Sequence, residues 1–214
     1  ATAKAVRQSG MRAVLGYSMV DFGNRKGTQK SANEKKMKEE LSIGEKFIRE
    51  WHGKAGGRIT CSVAPHSVYL CSAELLLAAH RLSQKYSCIN HIHLSETRKE
   101  VFDCLQQNGK RPAYYLDSLG VLSSRTVAAH CVWLTKEEVR LLAKRKVSAS
   151  LNPVSNMKLA SGGAVPMPEM QQFGMNVSLG TDGSASNNSL SMFEVMKLCG
   201  LLQKNSRWDA TVAK

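Results

Sequence analysis

Histidines and carboxylates that could do acid–base or metal chemistry are concentrated in a few short segments of the chain. The segment HIHLSET, residues 91–97, places Glu96 three residues after His93. Imidazole and carboxylate are ligands that Zn(II) or Fe(II) prefers, and His93 with Asp182 could supply one of each. A metal-bound water has its pKa lowered toward neutrality, so Glu96 could carry its proton and His130 could hydrogen-bond the hydroxide or the departing group. Together these residue types predict hydrolysis without a covalent enzyme intermediate.

The same segment also has a purely structural interpretation. Ile92 and Leu94 suit a buried strand, and either Ser95 or Thr97 can cap a helix that begins near Arg98. A lone histidine at a strand end is more often a hydrogen-bonded structural group than a metal ligand. An aspartate in a Gly- and Ser-rich segment is often a turn or cap residue, and asparagines around a proline, as in NPVSN, usually mark a turn. Both interpretations remain open at this level.

The elements that must position these residues alternate along the chain. Short apolar or β-branched runs occupy residues 11–20, 58–65, 88–94, 126–134, 146–153 and 176–182. The stretches between them are compatible with helices, and several begin with Ser or Thr and end near Gly. Strands that alternate with helices at this spacing predict a parallel α/β sheet of six strands. No linker divides the chain, so we expect a single domain over residues 1–214.

Polar residues follow five of the six predicted strands. They are His66, His93, Glu96, His130, Asn152, Asn156 and Asp182. In parallel sheets the carboxyl ends of the strands form the site, and in a closed (β/α) barrel residues from several strand ends converge there. An open doubly wound sheet would usually show a glycine-rich phosphate loop, and neither GxGxxG nor GxxxxGK[ST] is present. All of these residues fall at the carboxyl ends of predicted strands. A purely structural role for every one of them is therefore less plausible than for any one alone, and a barrel is favoured.

Composition limits the classes of function. The chain has 214 residues, 43% hydrophobic content and a formal net charge of +13. A basic chain can bind nucleic acid, but here lysines alternate with glutamates, as in NRKGTQKSANEKKMKEE (24–40), and no aromatic residues are interleaved to stack on bases. No apolar run of membrane-spanning length and no signal-peptide core are present, so we expect a cytoplasmic protein without membrane contact. The six cysteines form no CxxC pair and are interpreted as free thiols.

Five strings carry a specific resemblance. APHSVYLCS, HIHLSET, AHCVWLT, NPVSNMKLASG and VSLGTDGSASNNSLSMFEVMKL occur in this order. They resemble the second half of the amidohydrolase superfamily barrel, in the branch of 5'-methylthioadenosine/S-adenosylhomocysteine deaminases and chlorohydrolases, over nearly all of residues 1–200. The resemblance implies an α/β fold that is a partial (β/α)8 TIM barrel of the metal-dependent hydrolase type, holding about strands three to eight.

The resemblance also implies roles for individual residues. It implies one divalent metal ion, Zn or else Fe, with His93 as the strand-five ligand and Asp182 as the strand-eight ligand. Glu96 would contact substrate and pass a proton from metal-bound water to a ring nitrogen, His130 would orient the hydroxide, and Asp182 would deliver the remaining proton to leaving ammonia. His66 would contact the substrate and Ser186 would line the pocket. No lysine ends the strand at 58–65, so a two-metal centre with a carbamylated lysine is not expected.

Two departures from the family pattern qualify these implications. Family members carry a His-x-His metal-ligand pair at the end of the first barrel strand, but HIH at 91–93 already matches the fifth-strand motif. The ligand set is therefore incomplete, and we expect a fragment, a chain described only in part, or the product of a truncated gene. Leu151 stands where deaminase-type relatives typically have His, which leaves the ring substrate open.

The main functional hypothesis is metal-dependent hydrolytic deamination of an aminated purine, pyrimidine or triazine ring, with adenosine-type compounds such as S-adenosylhomocysteine or methylthioadenosine favoured. The expected partners are a small heterocyclic amine as substrate and further copies of the chain in a homo-oligomer. One alternative is a catalytically inactive fragment or interaction protein. Another is a basic nucleic-acid binder.

Overall fold

The computed structural model describes residues 1–22 and 33–213, so part of the basic stretch at 24–40 lies outside the described residues. Within them, six strands alternate with helices along the chain. The strands are β1 (Ala13–Met19), β2 (Ile59–Pro65), β3 (Ile89–Leu94), β4 (Thr126–His130), β5 (Ser148–Leu151) and β6 (Val177–Leu179). The helices are α1 (Thr2–Ser9), α2 (Glu34–Trp51), α3 (Ala73–Lys85), α4 (Arg98–Asn108), α5 (Pro112–Ser118), α6 (Lys136–Lys144), α7 (Pro153–Lys158), α8 (Met167–Gln172), α9 (Ser184–Asn187) and α10 (Met192–Arg207). The strand order is the chain order, β1-β2-β3-β4-β5-β6.

The chain forms two compact units, Ala1–Ile92 and His93–Lys214, and β3 begins in the first and ends in the second. In the first unit β1 and β2 pair in parallel over their whole length, and β2 pairs in parallel with the start of β3. Five of the seven residues of β2 are buried, as expected for a parallel strand covered on both faces. Helices α2 and α3 begin at the caps Asn33 and Ser72, whose side chains accept from backbone N–H groups of the first turn.

In the second unit β4, β5 and β6 pair in parallel, in the registers Val127↔Ser148 and Ala149↔Val177. Its core is apolar and includes Ala128, Val139, Leu142, Leu151, Met170 and Val195. The helices between these strands bury one apolar face. A capping box at Thr135 and Glu138 fixes the start of α6. The carboxyl ends of these short strands are therefore held at defined positions.

The parallel six-stranded α/β sheet predicted from the sequence is confirmed. The run at 126–134 is strand only to His130, because His130 and Cys131 have φ of 71° and 56° and turn the chain away. NPVSN forms the start of helix α7 instead of a turn, with Pro153 at a first-turn position where its missing N–H is harmless. All six cysteines are free and buried, as expected. The single-domain expectation stays a prediction.

Among the helices that the structure describes, none combines the length and apolar character needed to cross a lipid bilayer.

Candidate functional site

Four of the sequence-predicted site residues lie at the carboxyl ends of strands in the second unit. His93 is the penultimate residue of β3, Glu96 lies in the turn after β3, His130 ends β4, and Asp182 follows β6. The imidazoles of His93 and His130 stack, with ring centroids 5.3 Å apart and an interplanar angle of 22°. The Nε2 atom of His130 lies 3.7 Å from Oε2 of Glu96. These distances bring two imidazoles and one carboxyl group into a single cluster.

The turn that carries Glu96 is held from inside the protein. Thr97 caps helix α4 by accepting from the N–H of Glu100. The side chain of Glu100 reaches back past this cap and accepts from the N–H groups of Ser95 and Glu96, each at 2.8 Å. Ser161 adds a 3.5 Å contact from its Oγ to the Glu96 carboxyl. Glu96 thus projects from a turn whose backbone is hydrogen-bonded to a buried acid.

His130 is buried and is approached on its other side by two amides. The Nδ1 atom of His130 lies 3.0 Å from Nδ2 of Asn156 and 3.5 Å from Nδ2 of Asn152. Asn152 follows β5 directly and Asn156 lies one turn later on α7. Since residues four apart share one face of a helix, both amides reach the same imidazole.

Asp182 accepts hydrogen bonds that favour its ionised form. Ser155 donates from Oγ to Oδ2 at 2.6 Å, and the N–H of Gly183 donates to Oδ1 at 2.7 Å. Ser186, in the short helix α9, donates from Oγ to the carbonyl of Gly183 at 3.1 Å and contributes to the lowered pKa of Asp182. The residue that we expected to line the pocket therefore lies beside Asp182.

The environments of the two carboxyl groups shift their pKa values in opposite directions. Burial raises the pKa of Glu96, and the charge of Asp182 adds to this effect while His93 opposes it. Burial also acts to raise the pKa of Asp182, but the hydrogen bonds from Ser155 and Gly183 outweigh it, so its pKa lies below the usual value. Burial lowers the pKa of His130 to about 4, with the nearby His93 contributing. At neutral pH the cluster therefore holds a neutral His130 and two carboxyl groups of different proton affinity.

Four of the eleven non-glycine residues with positive φ among the described residues lie at these strand ends. Ser95, His130, Cys131 and Asp182 all have φ between 50° and 71°, in the left-handed region that residues with a side chain rarely adopt. Such residues persist only where the surrounding structure imposes them, and they cluster at functional sites. The strained residues at these strand ends are therefore compatible with a site there, although positive φ also occurs at turns elsewhere in the chain.

Two of the predicted substrate-contacting residues, Ser186 and His66, lie in different units of the chain. Ser186 belongs to the second unit with the cluster. His66 belongs to the first unit, directly after β2, where its Nδ1 lies 3.1 Å from Oγ of Ser67 and its ring meets Tyr69 edge to face. Its contact with substrate stays a prediction.

Three supporting residues escaped the sequence analysis. Glu100 follows Thr97 by three residues, a spacing that predicts an ordinary capping box, but its carboxylate clamps Ser95 and Glu96 instead. Ser155, inside NPVSN, and Ser161 carry no local signal, because their partners lie 27 and 65 residues away in the chain.

The described residues do not fit a complete metal centre by themselves. Within residues 1–22 and 33–213, no group of three or more His, Cys, Asp or Glu side chains is arranged to hold a metal ion. His93 and Asp182 would provide two donors, whereas catalytic zinc sites usually have three protein ligands. The incomplete ligand set expected from the sequence stays a prediction.

Comparisons with known proteins place these features in a family. A sequence model described as "Amidohydrolase family" matches residues 1–213. The chain is 47% identical over 209 residues to a 5'-deoxyadenosine deaminase of Methanothermobacter thermautotrophicus, covering 98% of this chain and 47% of the relative. It is 45% identical over 203 residues to a 5-methylthioadenosine/S-adenosylhomocysteine deaminase of Archaeoglobus fulgidus, covering 95% of this chain and 46% of the relative.

Among solved structures, a zinc-bound adenosine deaminase from Xanthomonas campestris superposes with a TM-score of 0.87 at 32% identity, covering 99% of this chain and 46% of that one. The chain spans about half the length of the curated relatives that it matches. The expected fold class, a partial barrel of this type, is confirmed. The chain belongs to the amidohydrolase family.

Proposed function

We propose that this chain supplies one half of the catalytic face of a hydrolytic deaminase that acts on adenosine-type compounds. The proposal is supported by the identity of 47% to a 5'-deoxyadenosine deaminase and of 45% to a 5-methylthioadenosine/S-adenosylhomocysteine deaminase. The substrate class is thus a small heterocyclic amine in which an exocyclic amino group is exchanged for oxygen.

The observation that carries the proposal is the pair of carboxyl groups around His130. The pKa of Glu96 is raised and that of Asp182 is lowered. Two titratable groups whose environments push their pKa values apart are the usual arrangement for an acid and a base in one site. Glu96 is suited to hold and donate a proton, and Asp182 is suited to accept one.

These properties assign a step to each residue in hydrolytic deamination. Water adds to the ring carbon that bears the amino group, and Glu96 passes the first proton of the water to the adjacent ring nitrogen. Asp182 collects the second proton of the water and transfers it to the departing amino group, which leaves as ammonia while the ring carbon becomes a carbonyl. His130, being neutral, contributes a hydrogen bond to the oxygen and not a second charge.

The proposed cofactor is one divalent metal ion, zinc in the first place and iron in the second, and the zinc-bound adenosine deaminase of similar fold supports it. His93 and Asp182 are the candidate ligands in this chain. Since they are too few for a complete centre, no step is assigned to the metal. The homo-oligomeric state and the cytoplasmic location remain predictions.

The test is release of ammonia from 5'-deoxyadenosine, methylthioadenosine and S-adenosylhomocysteine by the purified chain with equimolar zinc. Glu96→Gln should lower the rate by about 10²–10⁴, the usual contribution of a general acid or base. Glu137→Gln, at an exposed position on α6, is the matched control and should leave the rate unchanged. A folded, zinc-supplied protein that releases no ammonia from any of the three would overturn the proposal and favour an inactive fragment or interaction protein.

A further inference from the structure

We propose that Asn156, assisted by Asn152, is a positioning residue that holds the neutral imidazole of His130 in the form protonated on Nε2. The ring then presents an N–H donor to the space beside Glu96. The tautomer follows from the amide contacts alone, whereas its consequence for deamination rests on the proposed function.

Two amide nitrogens face Nδ1 of His130. The amide nitrogens of Asn156 and Asn152 approach Nδ1 of His130 at 3.0 and 3.5 Å. An amide nitrogen donates hydrogen bonds and does not accept them. Nδ1 must therefore carry the lone pair, and in a neutral ring the proton is left on Nε2.

The three side chains are buried, so the amide contacts determine the tautomer of the ring. Asn152, Asn156 and His130 are 5%, 4% and 2% exposed. Water cannot replace an amide as the partner of Nδ1 at such a position, and an unpaired buried polar group is costly. The imidazole therefore takes the tautomer that its protein neighbours accept.

The opposite orientation of the Asn156 amide is disfavoured. Oδ1 of Asn156 is buried and has no hydrogen-bond partner among the described residues. If the amide turned over, Oδ1 would require a proton on Nδ1, and the Nε2 lone pair would then face the carboxyl oxygen of Glu96 at 3.7 Å. The same change would set the amide nitrogen of Asn152 against an N–H group. The donor from Asn152 therefore disfavours the overturned orientation of Asn156 and selects the same form of His130.

The consequence for the site is a defined role for His130. An Nε2–H group beside a carboxyl group can donate to an oxygen bound between them, but it cannot remove a proton from that oxygen. His130 would therefore orient the reacting oxygen, while proton transfer is left to Glu96 and Asp182.

The tautomer can be measured directly on the full chain. The protein is labelled with ¹⁵N-histidine, a chelator keeps metal off the rings, and long-range ¹H–¹⁵N correlations are recorded at about pH 8, where an ordinary imidazole is neutral. The signals of His130 are identified by their loss in His130→Gln. We expect the wild-type pattern to show Nδ1 as the unprotonated nitrogen. A pattern with the proton on Nδ1 would overturn the proposal without any variant.

Three variants separate positioning from mere packing. Asn156→Asp replaces the donor with an acceptor and should move the proton to Nδ1, whereas Asn156→Leu should shift the tautomer ratio by roughly fivefold, as expected for one lost hydrogen bond. Asn176→Asp makes the same chemical change at an exposed position of the same unit, where the amide bonds Ser148, and should leave His130 unchanged.

An unaltered His130 pattern in a folded Asn156→Asp protein would refute the role of Asn156. If that variant does not fold, the wild-type spectrum still decides the tautomer. A wild type with the expected tautomer but without deaminase activity would refute the proposed function alone.

Discussion

The stability of the protein should fall as the pH rises from about 4 to about 7, because Glu100 is buried beneath the Glu96 turn. Its side chain is 3% exposed. Burial raises the pKa of Glu100 to about 7, and the charge of Glu96 adds to this, although the N–H groups of Ser95 and Glu96 act in the opposite direction. In the unfolded chain the same carboxyl group titrates near its ordinary value of about 4.3.

The magnitude follows from the difference between these two values. Because the folded state binds the proton more tightly than the unfolded state, the stabilising contribution is fully present below about pH 4 and is lost as the pH rises through 7. A difference of roughly 2.7 pH units corresponds to between about 3 and 4 kcal/mol in the free energy of unfolding. Most of this loss should occur between about pH 4 and pH 7.

The assay is urea unfolding followed by circular dichroism at about pH 4, 6 and 8. Glu100→Gln cannot titrate, so the stability of the wild type relative to this variant should fall by between about 3 and 4 kcal/mol over the range. Glu194→Gln provides the control, since Glu194 also stands three residues after a helix cap, on α10, but is exposed. Its unfolding curve should parallel that of the wild type at every pH. Equal pH dependence in the wild type and in Glu100→Gln would refute the reasoning, because Glu100 would then ionise as though it were solvated.

Two further predictions concern the segments that support the site. Gly162→Ala should lower the free energy of unfolding by at least about 2 kcal/mol, because Gly162 has φ of 101° and an added Cβ would lie 2.3 Å from Cζ2 of Trp133. Gly163→Ala, where a Cβ meets open space, should cost less in the same urea titration, and equal losses would contradict the steric argument. Arg111→Met should cost about 3–5 kcal/mol, because the fully buried carboxylate of Glu138 would lose the guanidinium 2.9 Å away. The double variant Arg111→Met with Glu138→Leu should regain most of that loss in urea unfolding, and a double variant as unstable as the single one would contradict it.

The sheet could be predicted from the sequence because its signal is local. The buried runs at 58–65 and 88–94 correspond to β2 and β3 within one residue at each end. Because helices cover them, these strands are buried, and their sequences are therefore apolar runs. The start of a helix can also be predicted from the sequence where a hydroxyl side chain caps the first turn, as Thr97 does for α4.

The ends of strands at the site were less predictable. The run at 126–134 was predicted as a strand to Leu134, because Cys131 and Val132 are as apolar as the strand itself. The chain leaves the sheet at His130 through two residues with positive φ, and cysteine is not among the residue types enriched in that conformation. Contacts with distant parts of the chain impose it, so no window of sequence could reveal it.

The chemistry-bearing residues were predictable as a set, whereas the groups that set their properties were not. His93, Glu96 and His130 follow strands that read clearly, and parallel pairing brings their ends together. The lowered pKa of Asp182, in contrast, depends on the hydroxyl of Ser155, which lies 27 residues away in the chain. The local sequence thus predicts which residues can react. Tertiary contacts determine the protonation state of each one.

The exits of β3 and β4 are tied to each other beyond the ends of the strands, and this explains how the site can sustain its strain. The N–H of Cys131 donates to the carbonyl of Leu94 at 3.0 Å, and the N–H of Trp133 donates to the carbonyl of Ser95 at 2.8 Å. A left-handed residue costs of order 1–3 kcal/mol, and these bonds, with those that Glu100 accepts, offset part of that cost at Ser95 and Cys131. The two turns therefore stabilise each other. A substitution that loosens either turn should displace the reacting groups of both. The distance between the Glu96 carboxyl group and the His130 imidazole is therefore set by the two turns together.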